Sequence, residues 1–145
     1  MKRATITFFC LLTMLLTASA QQGPRKFSPE KFQAELEQYI VQEAKLTQQE
    51  AARFLPIFGE MHQKQRAIYE RQRQLKHTAL TDEAAYRDAI KKNDQMDLEL
   101  KKLQQTYHEK FMTVLPASKV FAVIKAEDRF HRDMWKKWNQ DNRRR

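Results

Sequence analysis

LTQQEAARFLPIFGEM, Leu46 to Met61, is the stretch on which the fold turns. Thr47 stands where a helix N-cap belongs and Glu50 follows three residues on, the spacing at which a capping box satisfies two orphan amide donors reciprocally. A helix starts here. Its apolar positions run Ala51, Phe54, Phe58, Met61, Ile68 and Leu75, with Gln65 and Gln72 filling the intervening steps of three and four. One narrow seam is apolar and the remainder is charged or amide, the pattern of a long helix that offers one face to its neighbours. Pro56 lies inside the same helix, where proline removes one backbone bond and clashes with the preceding turn at a cost of about 3 kcal/mol. A bend between Ala52 and Pro56 is therefore expected, serving either packing or the curvature of a concave surface.

Three more helices follow from the same kind of reading. Ser28-Pro29 gives an N-cap with proline at the first helical position. The spacing of Phe32, Leu36, Tyr39 and Ile40 then predicts a helix from Pro29 to Ala44. Helix two runs from Gln48 to Lys76. Thr81, Asp82 and Glu83 open a third, predicted from Asp82 to Val114, with a seam of Tyr86, Ile90, Met96, Leu100, Leu103, Tyr107, Phe111 and Val114. After Pro116, Ser118 is expected to cap a fourth helix from Lys119 to Trp138. Its apolar set is Val120, Phe121, Val123, Ile124, Phe130, Met134, Trp135 and Trp138, and the two tryptophans call for cover. No stretch alternates with the period of a strand, and two glycines leave little material for hairpins. The fold class is all-α, with four long antiparallel helices.

The two ends have their own character. Lys2 and Arg3 precede an apolar run from Ile6 to Leu16, and Ala18-Ser19-Ala20 supplies the small residues of a signal-peptidase site. Residues 1–20 thus read as a signal peptide, 21–27 as a flexible leader, 28–138 as one helical domain and 139–145 as a frayed basic tail. The apolar run is far short of the roughly 20 residues that span a bilayer, so no transmembrane segment is expected and the mature protein should be exported. The one cysteine, Cys10, falls in the signal, which leaves no disulfide, thiolate nucleophile or cysteine-based zinc site in the mature chain. The full chain carries a net charge of +9, and removing Lys2 and Arg3 with the signal leaves +7. Such a surface favours anionic partners. Export argues against nucleic acid among them.

Little in the chain suits catalysis. Ser28 and Ser118 are both read as helix caps, no phosphate-cradling glycine loop occurs, and the acidic residues of helix three alternate with lysines as a solvated face. The reading is a non-enzyme without a cofactor. His62, Glu127, His131 and Met134 form the weak candidate set for a divalent metal such as zinc, because Glu127, His131 and Met134 recur at helical spacing.

Leu46-Thr47-Gln48-Gln49-Glu50 resembles the first LTxxQ motif of the Spy/CpxP group of periplasmic proteins, with glutamate in the last place. The second motif falls at Leu115-Pro116-Ala117-Ser118-Lys119, where leucine is kept and threonine and glutamine are not. The resemblance covers residues 28 to 138. It implies a thin, cradle-shaped homodimer in the periplasm that binds unfolded or aggregation-prone envelope proteins without ATP. The alternative it allows is a metal-responsive or envelope-stress regulator acting on a sensor kinase. For the chaperone, the contact candidates are Phe54, Phe58, Met61, Arg66 and Ile68 on helix two, and Arg129, Phe130 and Arg132 on helix four. The motif residues are Leu46, Thr47, Glu50 and Leu115.

Overall fold

The structure, a computed structural model, describes residues 28–144 apart from the side chain of Asn142. The expected signal peptide and leader lie outside these residues. Four helices follow one another: α1 (Pro29–Glu43), α2 (Gln48–His77), α3 (Glu83–Met112) and α4 (Ala117–Arg143). No strand occurs among the described residues, and the all-α class stands.

Local chemistry sets most helix ends. Ser28 accepts from the Lys31 amide, and the Thr47–Glu50 capping box is complete in both directions. At α3 the cap is Asp82 rather than Thr81: its carboxylate accepts from the Ala85 amide at 2.9 Å. The fourth helix corrects the sequence reading twice. It begins at Ala117, so Ser118 lies in its first turn and does not cap it. The Pro116 carbonyl takes the first bonds instead, from the Lys119 and Val120 amides. At the other end α4 continues past Trp138 to Arg143, so residues 139–143 are helical rather than a frayed tail. Nothing after Trp138 is a glycine or proline that would stop it.

The turn between α1 and α2 joins the two motif segments. Lys45 adopts a left-handed φ of 50°, a conformation that costs a side-chain-bearing residue roughly 1–2 kcal/mol. In return the Lys45 amide donates to Gln42 and the Leu46 amide to Val41, the paired bonds of a Schellman closure, and Leu46 drops into the core. Leu115, the leading residue of the second motif segment, enters the same core. The final residues of the two segments also meet. The Lys119 ammonium donates to the Glu50 carboxylate and to the Lys45 carbonyl. Hydrogen bonding from Lys119, followed by the Thr47 amide, holds the Glu50 carboxyl at about 2. One glutamate thus finishes the cap of α2 and fastens the start of α4.

Helices α2 and α3 form an antiparallel hairpin. The eleven-residue step back along α2 from Arg71 to Glu60 is matched by an eleven-residue step forward along α3 from Glu99 to Lys110, their ion-pair partners. Helix α1 packs on α4, and α3 also touches α4. The main core lies where the four elements meet and is built on Phe54, Phe58, Tyr107, Phe111, Leu36, Ile40, Met61 and Val123. Phe54 and Phe111 meet edge to face with ring centres 4.9 Å apart. A second, smaller core of Ile68, Met96 and Leu100 lies farther along the hairpin, and Leu103 touches both. Beyond it Gln72 is buried and donates to Asp97 at 2.7 Å.

Helix α2 stays helical across Pro56, which is exposed. Three residues on, a Cβ built on Gly59 meets nothing within 4 Å. Gly59→Ala should therefore stabilise the fold by about 0.5–1 kcal/mol, the usual difference between these residues inside a helix. A urea-unfolding midpoint that falls in this variant would show that the site is tighter than the structure has it.

Candidate functional site

The contact candidates separate by chemical type. Phe54, Phe58 and Met61 turn inward to the main core, Ile68 to the smaller core, and Phe130 packs between Phe32 and Tyr39 of α1. None of these five apolar side chains lies on an open face, which corrects the expectation of surface contact; helical spacing had identified their shared face but not what covers it. Arg66 and Arg132 are exposed. Arg129 reaches across to α1, where it donates to Glu43 at 2.7 Å. The candidates therefore do not form a single surface.

The metal candidates do converge, in part. Glu127 Oε1 lies 3.2 Å from His62 Nε2 of α2 and 3.8 Å from His131 Nε2 one turn on. The His62 imidazole lies tilted against the Phe58 ring with centres 4.3 Å apart, and its buried Nε2 makes no aligned hydrogen bond to the carboxylate. Burial acts to raise the Glu127 carboxyl, and the imidazoles of His131 and His62 more than offset it, holding it at about 2. Met134 is half-buried against the core and lines a groove with Tyr39 and Phe130. Among the described residues no three His, Cys, Asp or Glu side chains are arranged to hold a metal ion. The cluster as it stands is a partly buried electrostatic tie between α2 and α4.

The open apolar surface lies elsewhere. Tyr86 and Ile90, which the sequence places in the α3 seam, are 50% and 63% exposed. The hairpin register explains this. Nine residues back along α3 from Glu99 is Ile90, and nine forward along α2 from Arg71 is position 80, beyond the end of α2 at His77. The first turns of α3 therefore overhang their partner. Leu75, Leu80, Tyr86, Ala89 and Ile90 line a groove of about 320 Å³ there, with Lys76, Asn93 and Asp94 at its edge. Tyr69, Leu98, Met112 and Phe121 are further exposed large apolar side chains.

Trp135 and Trp138 also remain exposed, at 61% and 57%, against the expectation that they would be covered. At 100° per residue Trp135 falls about 140° round α4 from the buried Phe130, so periodicity itself held the signal that it faces solvent. No helix of the described residues is long and apolar enough to cross a membrane. Comparisons of the chain with protein-family models, with curated proteins and with solved structures found no match.

Proposed function

We propose that this chain is an ATP-independent holding chaperone of the Spy/CpxP type, exported to the periplasm, which binds unfolded or aggregation-prone envelope proteins and performs no catalysis. The observation that carries the reading is the apolar groove at the free end of the α2/α3 hairpin, left open because α3 overhangs α2 and edged by charged side chains. A shallow, open apolar surface of this kind suits loose contact with many sequences better than recognition of one ligand. The basic excess supports charge-guided first encounter with acidic segments. Client contact moves accordingly from Phe54, Phe58, Met61, Ile68 and Phe130 to Tyr86, Ile90 and their neighbours. The burial of Leu46 and Leu115 in one core, and the contact of Glu50 with Lys119, support the family resemblance, because the two motif segments share one structural junction. A cradle-shaped homodimer belongs to the same proposal.

The test is the aggregation of a reduced or heat-denatured client, followed by light scattering with the protein at stoichiometric ratio. Protection is expected, weakened several-fold by Tyr86→Ser with Ile90→Ser and unaffected by Gly59→Ala. Unchanged aggregation in the presence of the parent protein would sink the reading.

A second reading, a metal-responsive or envelope-stress regulator acting on a sensor partner, draws on the convergence of His62 and His131 on Glu127. Titration calorimetry with zinc decides it: binding no tighter than about 10 μM, roughly 7 kcal/mol, removes it.

A further inference from the structure

The solvent face of α4 combines aromatic and basic side chains in one line. At 100° per residue Phe121, Lys125, Arg132 and Trp135 fall within a sector of about 80°. All four are exposed. The Lys125 ammonium lies 5.1 Å from the centre of the Phe121 ring, and Trp138 stacks against Trp135 with centres 5.4 Å apart. Asp128 is the one acidic side chain of that sector. Residues 129–145 hold seven Lys/Arg against two Asp, a net of +5.

We propose that this face docks the protein on an anionic lipid surface, with α4 lying along the headgroups. Tryptophan suits that boundary, since its ring enters the apolar edge while its N–H stays among polar groups. Lysine and arginine stems lie over apolar surface and carry their charges out to phosphates. Charge complementarity selects this occupant over a second copy of the chain, because pairing through this face would set Lys125 and Arg132 against the same side chains of the copy. The inference concerns a different surface from the hairpin groove and does not depend on the chaperone reading.

The chain has two tryptophans and both lie in this patch, so intrinsic emission reports on the site alone. The full chain is mixed with vesicles of phosphatidylglycerol and phosphatidylethanolamine, and separately with vesicles of phosphatidylcholine. The apolar run near the N-terminus has its own affinity for lipid, so tryptophan emission rather than sedimentation is the deciding readout. A blue shift is expected with the anionic vesicles, absent with phosphatidylcholine and reversed by salt. Lys125→Glu with Arg132→Glu keeps both tryptophans and should weaken the shift-coupled binding by at least about tenfold, each Lys or Arg near an anionic surface counting for about 1 kcal/mol. Unchanged helicity by circular dichroism shows that this variant is folded. Three results overturn the proposal: no shift with anionic vesicles, a shift that the charge reversals leave intact, or a lipid-free shift that grows with protein concentration alongside a dimer mass. Where the first of these comes with a shift produced by an acidic polypeptide, the face belongs to a protein partner.

Discussion

Phe54→Ala is expected to destabilise the protein by about 3–5 kcal/mol, the range for truncating a buried aromatic ring. Phe54 is fully buried, 4.9 Å from the Phe111 ring centre and 5.3 Å from that of Phe58, so its loss opens a cavity where α2 and α3 face each other. A domain of this size is stable by only about 5–15 kcal/mol, and the variant should show a large drop in its urea midpoint or fail to fold at physiological temperature. Phe121→Ala is the matched control. Its ring is exposed on α4, and an exposed position of this kind should move stability by no more than about 0.5 kcal/mol. Equal effects from the two substitutions would mean that the helix faces are assigned wrongly.

Glu127→Gln is expected to weaken the protein near neutral pH by about 1–3 kcal/mol, because the partly buried cluster loses the carboxylate that lies between two imidazoles. The effect should depend on pH in a defined direction. The carboxyl titrates at about 2 in the folded chain instead of the ordinary 4.5. A folded value below the unfolded one gives stability that is complete above the unfolded value and is lost as pH falls toward the folded value. The gap between parent and variant should therefore close as pH falls from about 4.5 to about 2. Urea unfolding of both proteins across that interval measures it. A gap that is constant with pH would show that the glutamate acts through packing and not through charge.

Helical spacing located the buried seam of α2 well, down to the glutamines at positions 65 and 72, because a 3.6-residue period fixes which side chains share a face. It also placed the Thr47 cap, whose partners lie within three residues. What spacing cannot carry is the identity of the element opposite. Tyr86 and Ile90 continue the α3 seam and yet face solvent, since their exposure depends on where α2 ends. Phe54, Phe58 and Met61, expected on a contact surface, are buried for the complementary reason: the same seam is covered, in part by Tyr107 and Phe111 from more than 40 residues away. The convergence of His62 on Glu127 was legible only as residue types, because the two lie on different helices and no local pattern brings them together. Ser118 was misplaced because Pro116 carries the first backbone bonds of α4 itself, a role that proline's lack of an amide does not prevent.

The two cores differ greatly in size, and Leu103 is in contact with both. The outer one rests on three buried side chains, Ile68, Met96 and Leu100. Beyond it the hairpin is held by polar ties, the buried Gln72 to Asp97 and the exposed pair of Arg71 with Glu99, the second of which water can replace at little cost. Free energy of opening is set by local burial, so the chain is graded: the hairpin tip can fray and re-form many times while the aromatic body stays closed. The overhanging groove belongs to that yielding end, and its shape can adjust to what it touches without drawing on the stability of the rest.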